Sequence, residues 1–215
     1  MDRQPDAATD APTDPTTTPR RRRRRDVVLT VAGALLVALL IKSFLVQVAV
    51  VPSGSMAPTL APGDRILVCR VCTTIGGIQR GDVVVFHDPG RAPDGPFGAA
   101  WQWLVEGIGV GPSSHRDIVK RVIGLPGDVV EIRGGTVYVD GVPLDEPYLA
   151  PDPDTRPFGP VRVPEGALFV LGDDRLASGD SRFLPPAGVG MVPEDDVIGE
   201  VAFRVWPPSR VGGLG

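Results

Sequence analysis

The chain has 215 residues, a formal net charge of −4 and a mean hydropathy of +0.09. That length suits one domain with appendages, and 27 glycines and 24 prolines with only 6% aromatic residues suggest a turn-rich β domain rather than a helical one. The mild net charge hides a split. Residues 20–25 are all arginine, whereas from Pro52 onward 14 basic residues face 21 acidic ones, which argues against nucleic-acid binding through charge.

Residues 1–19 are rich in Asp, Pro, Thr and Ala and nearly free of large apolar side chains. Such a segment cannot bury enough surface to offset its ordering entropy, so a disordered tail is expected over 1–26, ending in the arginine run. Residues 27–41 follow with only Thr30 polar, and apolar character resumes after Lys42. Fifteen helical residues span about 22 Å against a hydrocarbon core of about 30 Å. Lys42 can snorkel, which extends the expected transmembrane helix to 27–46. Six arginines before it and none just after place the tail in the cytoplasm and residues 47–215 outside. A cleaved signal peptide would look similar, but Gln47-Val48-Ala49 supplies only one good small residue for a cleavage site. A basic run can also bind nucleic acid or serve as a localisation signal, and its abutment to the apolar run favours topology.

Beyond Val51 the signals are those of strands. Arg65-Ile-Leu-Val-Cys69 is an apolar run that ends in Cys69-Arg-Val-Cys72. CxxC is also a redox spacing, but no helix start is evident after it, and zinc would need about four ligands with only His87 and His115 to complete the set. A structural role is expected, as a disulfide or as a free pair, and no metal. Asp82-Val-Val-Val-Phe86 is bounded by Gly81 and Pro89. Residues 87–117 are the least regular, and Trp101 and Trp103 within them belong either to a packed loop or to a membrane-interfacial segment. Val129 to Arg133, Gly134-Gly135 and Thr136 to Asp140 read as a hairpin, with a second tight turn at Asp140-Gly141. Ala167 to Leu171 is a short apolar strand. Val197 to Trp206 alternates, which places Val201, Phe203 and Val205 on one face. No crossover-length helix separates these runs, so the sheets should be mostly antiparallel.

Two residues stand out chemically. Ser55 sits in VPSGSMAPTL just past the apolar stretch. Lys120, in DIVKRVIGLPGD, is the only lysine beyond that stretch, against 13 arginines there. Arginine is always charged, whereas a buried lysine can lose its proton. Depletion of lysine by codon bias would give the same count. A serine hydroxyl needs a base, neither histidine lies in a triad-like motif, and a neutral lysine can take that place. Ile118, Val119, Val122 and Ile123 flank Lys120 and offer apolar wrapping.

VPSGSMAPTL, GDRILV, RGDVVVF, DIVKRVIGLPGD and GDDRLASGDSR, in that order behind one N-terminal span, resemble the bacterial type I signal peptidase (leader peptidase) family. The resemblance implies an antiparallel β catalytic domain on a single anchor, acting as a serine endopeptidase that cuts signal peptides from secretory preproteins with small residues, usually Ala, at the first and third positions before the cut. No cofactor is implied. Ser55 would be the nucleophile and Lys120 the general base. Ser53 and the Ser55 backbone N–H would receive the oxyanion. Ser178 would hydrogen-bond the Lys120 amine and orient it. Asp173 with Arg121, and Asp180 with Arg182, would be supporting ion pairs. The sequence departs from the family pattern at Asp174, where asparagine is usual, and at Leu176-Ala177, where the family has a more polar pair. Asp174 is expected to face solvent. Self-cleaving repressors share the dyad, but they carry a DNA-binding module that this chain lacks. An anchored β domain that binds preproteins or translocon components without cutting them is the remaining alternative, and it gives no chemical reason to keep Ser53, Ser55, Lys120 and Ser178 together.

Overall fold

The computed structural model describes residues 24, 26–35, 37, 45–88, 117–152 and 154–214. It divides into two compact units, Met1–Leu40 and Ile41–Gly215. In the first unit residues 26–35 form helix α1, with Val27, Val28, Leu29, Val31 and Leu35 all exposed. Among the described residues no helix is long and apolar enough to cross a membrane. Residues 1–23 and 25 of the expected tail, residues 36 and 38–44 of the expected span, and the Trp101/Trp103 segment lie outside the described residues. Val46, the last residue assigned to that span, opens a β-strand.

Among the described residues the second unit has eleven strands: β1 (Val46–Val50), β2 (Arg65–Cys69), β3 (Val83–Phe86), β4 (Ile118–Gly124), β5 (Val129–Arg133), β6 (Thr136–Val139), β7 (Val142–Pro143), β8 (Phe158–Arg162), β9 (Ala167–Leu171), β10 (Val192–Pro193) and β11 (Val197–Trp206). They form a seven-stranded sheet in the order β1-β2-β11-β3-β4-β9-β10 and a four-stranded sheet in the order β7-β6-β5-β8. Every pairing among the described residues is antiparallel.

All four residues of β3 are buried because both faces of the large sheet are covered. Val83 and Val85 pack with Val51, Met56, Leu60 and Val119 on one side. Val84 and Phe86 pack with Val122, Leu168 and Val170 on the other. A third cluster joins the sheets, with Ile123, Phe169 and Leu171 against Val130, Ile132 and Val137. The β5–β6 hairpin has the register read from the sequence, Arg133 opposite Thr136. Gly134 and Gly135 both take positive φ, 58° and 86°, the turn whose twist matches the strands it joins. Asp140 and Gly141 repeat this at 50° and 81° and lead into β7.

Two expectations are corrected. A helix does follow Cys69: α2 spans Arg70–Gly76. It has seven residues, no capping side chain, no terminal charge of the favourable sign and no buried residue, so little in its own sequence would announce it. A disulfide between Cys69 and Cys72 closes its first turn instead. The alternation of β11 also fails. The register against β2 shifts between Val201 and Phe203, an inserted residue that re-aims the strand. Val201 is buried, whereas Phe203 and Val205 are exposed.

Candidate active site

Three segments converge on Ser55: its own loop, strand β4 and residues 172–182. The Ser55 loop leaves β1 through Val51, whose N–H and C=O bond the carbonyl of Asp64 and the N–H of Gly63 at 2.9 Å each. Met56 and Leu60, four residues apart and both buried, anchor it in the core, and the Leu60 N–H closes the turn on the Met56 carbonyl at 2.8 Å. The Ser55 carbonyl accepts the Asp174 N–H at 3.1 Å, which joins this loop to the third segment.

Lys120 lies opposite Val84 in the β3–β4 ladder and is only 4% exposed. Its Nζ donates to Ser55 Oγ at 2.8 Å and to the Val119 carbonyl at 3.0 Å. Burial pulls its pKa down from 10.5 to about 8, against the opposing pull of the Asp180 and Asp173 carboxylates. An amine so placed is neutral in about a tenth of molecules at pH 7, against well under a thousandth for an ordinary lysine. Ser53 Oγ lies 3.3 Å from Ser55 Oγ.

The expected ion pairs form. Arg121 Nε and Nη2 donate to the two oxygens of Asp173 at 2.9 and 2.8 Å. Arg182 Nε and Nη2 do the same to Asp180 at 2.8 and 2.9 Å. Such two-pronged pairs fix direction as well as charge. Asp173 also accepts the Thr59 hydroxyl at 2.5 Å, so this one carboxylate ties the Ser55 loop to β4. Asp180 accepts the Gly172 N–H at 3.2 Å.

Ser178 departs from expectation. It is buried, but its Oγ has no hydrogen-bond partner among the described residues. It makes no bond to Lys120, whose Nζ donates instead to Ser55 and Val119. Asp174 does not simply face solvent either. It is half-buried, and its Oδ1 accepts the N–H groups of Leu176 and Ala177 at 3.2 and 3.1 Å, closing a local turn. It is not among the groups that move the Lys120 pKa.

Several residues at the site, some of them inside the motifs quoted above, were assigned no role from the sequence. Gly172 is one: a Cβ there would come within 2.4 Å of both Ser178 Oγ and the Ser55 carbonyl oxygen. Thr59 is another. Asp154 holds Arg182 Nη1 at 2.6 Å, and hydrogen bonds from Arg156 are the main cause that holds its carboxyl down at about 2. Glu146 pairs with Arg175; Arg175 lies inside a motif singled out above, whereas Glu146 follows an unremarkable turn. His87 lies 3.6 Å from Asp117, and His115 is outside the described residues. Among the described residues no group of three or more His, Cys, Asp and Glu is placed to hold a metal.

The family model described as "Signal peptidase, peptidase S26" matches residues 24–206. A signal peptidase I from Leptolyngbya laminosa is 38% identical over 86% of this chain and 81% of its own. A probable signal peptidase I-1 from Synechocystis is 40% identical over 85% and 82%, and a signal peptidase I from Mycobacterium tuberculosis is 39% identical over 79% and 68%. A signal peptidase I from Enterococcus faecalis, solved as a crystal structure, aligns with a TM-score of 0.41 at 31% identity, over 58% of this chain and 96% of that one. With a family model covering most of its length and relatives at this level of identity, the chain belongs to the signal peptidase family, peptidase S26, and is a hydrolase of that kind.

Proposed function

We propose that this hydrolase is a membrane-bound serine endopeptidase that removes N-terminal signal peptides from secretory preproteins through a Ser55 nucleophile and a Lys120 general base. The observation that carries the reading is the Lys120 Nζ–Ser55 Oγ contact of 2.8 Å at a lysine that burial lowers to about 8. When the amine is neutral its lone pair accepts the Ser55 hydroxyl proton across that same contact. The proton moves to Nζ as Oγ attacks the scissile carbonyl carbon. The negative oxygen that develops is met by the Ser55 backbone N–H and the Ser53 hydroxyl, and loss of one such donor typically costs about a hundredfold in rate. The Lys120 ammonium then returns the proton to the leaving amine. Repeating the cycle with water releases the acyl group.

The ammonium formed in that step has three N–H donors to place, whereas the neutral amine has two. Ser178 Oγ, buried and without a partner among the described residues, is suited to take one of them, and in that role it orients the lysine. The substrate runs extended against the free edge of β4. The β4–β9 ladder starts at Arg121, and residues Ile118–Lys120 have no strand partner on that side among the described residues. Backbone bonds there give affinity, and shallow pockets select small residues in an A-x-A pattern.

The apolar stretch that begins at residue 27 and ends before β1 anchors the chain in the bilayer as a single pass. The arginines at 20–25 hold the N-terminus in the cytoplasm, and the β domain lies outside the membrane. Cleavage of an A-x-A precursor by the detergent-solubilised chain tests the chemistry. Ser55→Ala and Lys120→Ala abolish it, and so does Lys120→Arg, because a guanidinium does not release its proton. Wild-type activity in Lys120→Arg would rule out the amine as base. Protease added outside intact cells should digest the β domain; protection until lysis would invert the topology.

A further inference from the structure

We infer that Glu146 is a positioning residue for this dyad, acting through Arg175 on the loop that carries Ser178 and through Tyr148 on the Arg121–Asp173 pair. The inference rests on the Ser55–Lys120 reading, in which Glu146 and Tyr148 have no chemical task.

Glu146 belongs to the segment that follows β7. Leu144 fastens the start of this segment to β6, its N–H bonding the Val137 carbonyl at 2.8 Å, and packs against the core that joins the sheets. The far end is fastened by the Ala150 N–H on the Asp173 carbonyl at 3.3 Å. Between them the Glu146 carboxylate is almost fully enclosed, its side chain 4% exposed, and Arg175 opposite it is 3% exposed. The same Glu146 Oε1 accepts the Tyr148 hydroxyl at 2.8 Å. Burial and the Glu146 carboxylate push that hydroxyl well above its usual pKa, so it remains a donor at any pH at which the protein works.

Two arms leave Glu146. In the first, Arg175 Nε donates to the Gly172 carbonyl at 3.0 Å, and the Arg175 carbonyl accepts Arg182 Nη2 at 2.6 Å. Gly172 is the residue that leaves no room for a Cβ against the Ser55 carbonyl and Ser178 Oγ. In the second, the Tyr148 ring lies under the Arg121 guanidinium, 3.8 Å from centroid to carbon. Arg121 holds Asp173, and Asp173 holds Thr59 in the Ser55 loop. Both arms therefore end beside Ser55. For stability alone an apolar pair of similar volume commonly serves as well as an enclosed ion pair. What the charges add here is direction, at a site where a displacement of about 1 Å can cost about a hundredfold.

The test uses the full chain in detergent and an A-x-A precursor. Glu146→Gln should lower kcat about tenfold to a hundredfold while KM stays within about twofold. Tyr148→Phe, which keeps the ring on Arg121 but breaks its bond to Glu146, should lower kcat by about threefold. Glu131→Gln, in an exposed pair with Arg133, should leave both constants alone. Glu146→Gln leaves a buried arginine without its partner, so thermal unfolding is followed alongside, and if that variant is not folded at the assay temperature Tyr148→Phe decides. Wild-type kcat in the deciding variant, or a raised KM at unchanged kcat, overturns the inference. Ser55→Ala separates the two levels. If it is dead while Glu146→Gln is fully active, only the positioning role falls; if it cleaves at the wild-type rate, the dyad reading falls and takes the positioning role with it.

Discussion

A buried lysine that acts as the proposed base leaves a trace in stability as well as in rate, and Lys120→Met separates the two. In the native protein the Lys120 pKa is about 8, against 10.5 for the ordinary group, a difference of about 3 kcal/mol. At 4% exposure solvent screening does little to reduce it. The sign follows from proton counts. Below pH 8 the amine is charged in both states, and the folded protein bears the whole cost of burying that charge. Between pH 8 and 10.5 the unfolded chain binds more protons than the native one, so stability rises with pH by up to about 1.4 kcal/mol per unit. Methionine fills similar space and does not titrate. Loss of the bonds to Ser55 and the Val119 carbonyl shifts the variant by a roughly pH-independent amount, about 1 kcal/mol for each. Urea unfolding of both proteins from pH 7 to 10.5 should therefore show the wild type gaining on Lys120→Met by about 3 kcal/mol across the interval. In the proposed mechanism the same group sets the acid limb of kcat/KM, which should rise through a pKa near 8 and flatten above it. Stability curves that stay parallel, or a kinetic pKa about two units from the onset of the stability gain, would mean that another group is the base.

Three further outcomes follow from the geometry. Gly172→Ala places a methyl 2.4 Å from the Ser55 carbonyl and Ser178 Oγ; it should abolish precursor cleavage and lower the unfolding midpoint, and near-normal kcat would show that the loop is free to retreat. Asp173→Asn leaves Arg121, at 4% exposure, without its counter-charge, and urea titration should show a loss of about 3–5 kcal/mol. Replacing Cys69 and Cys72 together by serine removes a cross-link of sequence separation 3; such a short loop is worth about 2 kcal/mol, and the variant should unfold earlier yet cleave normally, since no bond from α2 reaches Ser55 or Lys120 among those described.

What could be read from the sequence followed the range of the interactions. β3 and β9 announced themselves as short apolar runs, and the β5–β6 hairpin through its paired glycines, because backbone conformation and alternation are local properties. The Ser55–Lys120 pairing was legible through motif resemblance, not spacing: 65 residues separate the two, and they meet because the β1–β2 loop packs through Met56 and Leu60 onto the sheet beside Val85 and Val119. α2 escaped because a disulfide, not its own residues, closes its first turn. The register shift in β11 escaped because a bulge is decided by the neighbouring strand. The roles of Gly172 and Thr59, inside the quoted motifs, and of Glu146, outside them, escaped for a third reason. Each matters through what sits against it in space, and a glycine after a strand or a glutamate after a turn has the same local sequence whether or not it does so.

The charges around Lys120 make one arrangement. Burial drives its pKa down, while Asp180 and Asp173 drive it up. Left bare, two buried carboxylates would hold the amine cationic and defeat it as a base. Each is engaged on both oxygens by an arginine, Asp173 by Arg121 and Asp180 by Arg182, so most of its charge is spent on a partner that cannot titrate. The arginines are directed in turn: Arg121 also donates to the Gly81 carbonyl at 2.9 Å, and Arg182 is shared with Asp154. The same carboxylates bond the Thr59 hydroxyl and the Gly172 N–H, groups in the two loops that meet at Ser55. One set of ion pairs thus does two jobs that would otherwise conflict. It holds those loops with charged groups, and it weakens the pull of those carboxylates on Lys120, the base of the proposed mechanism, whose pKa burial still brings down to about 8.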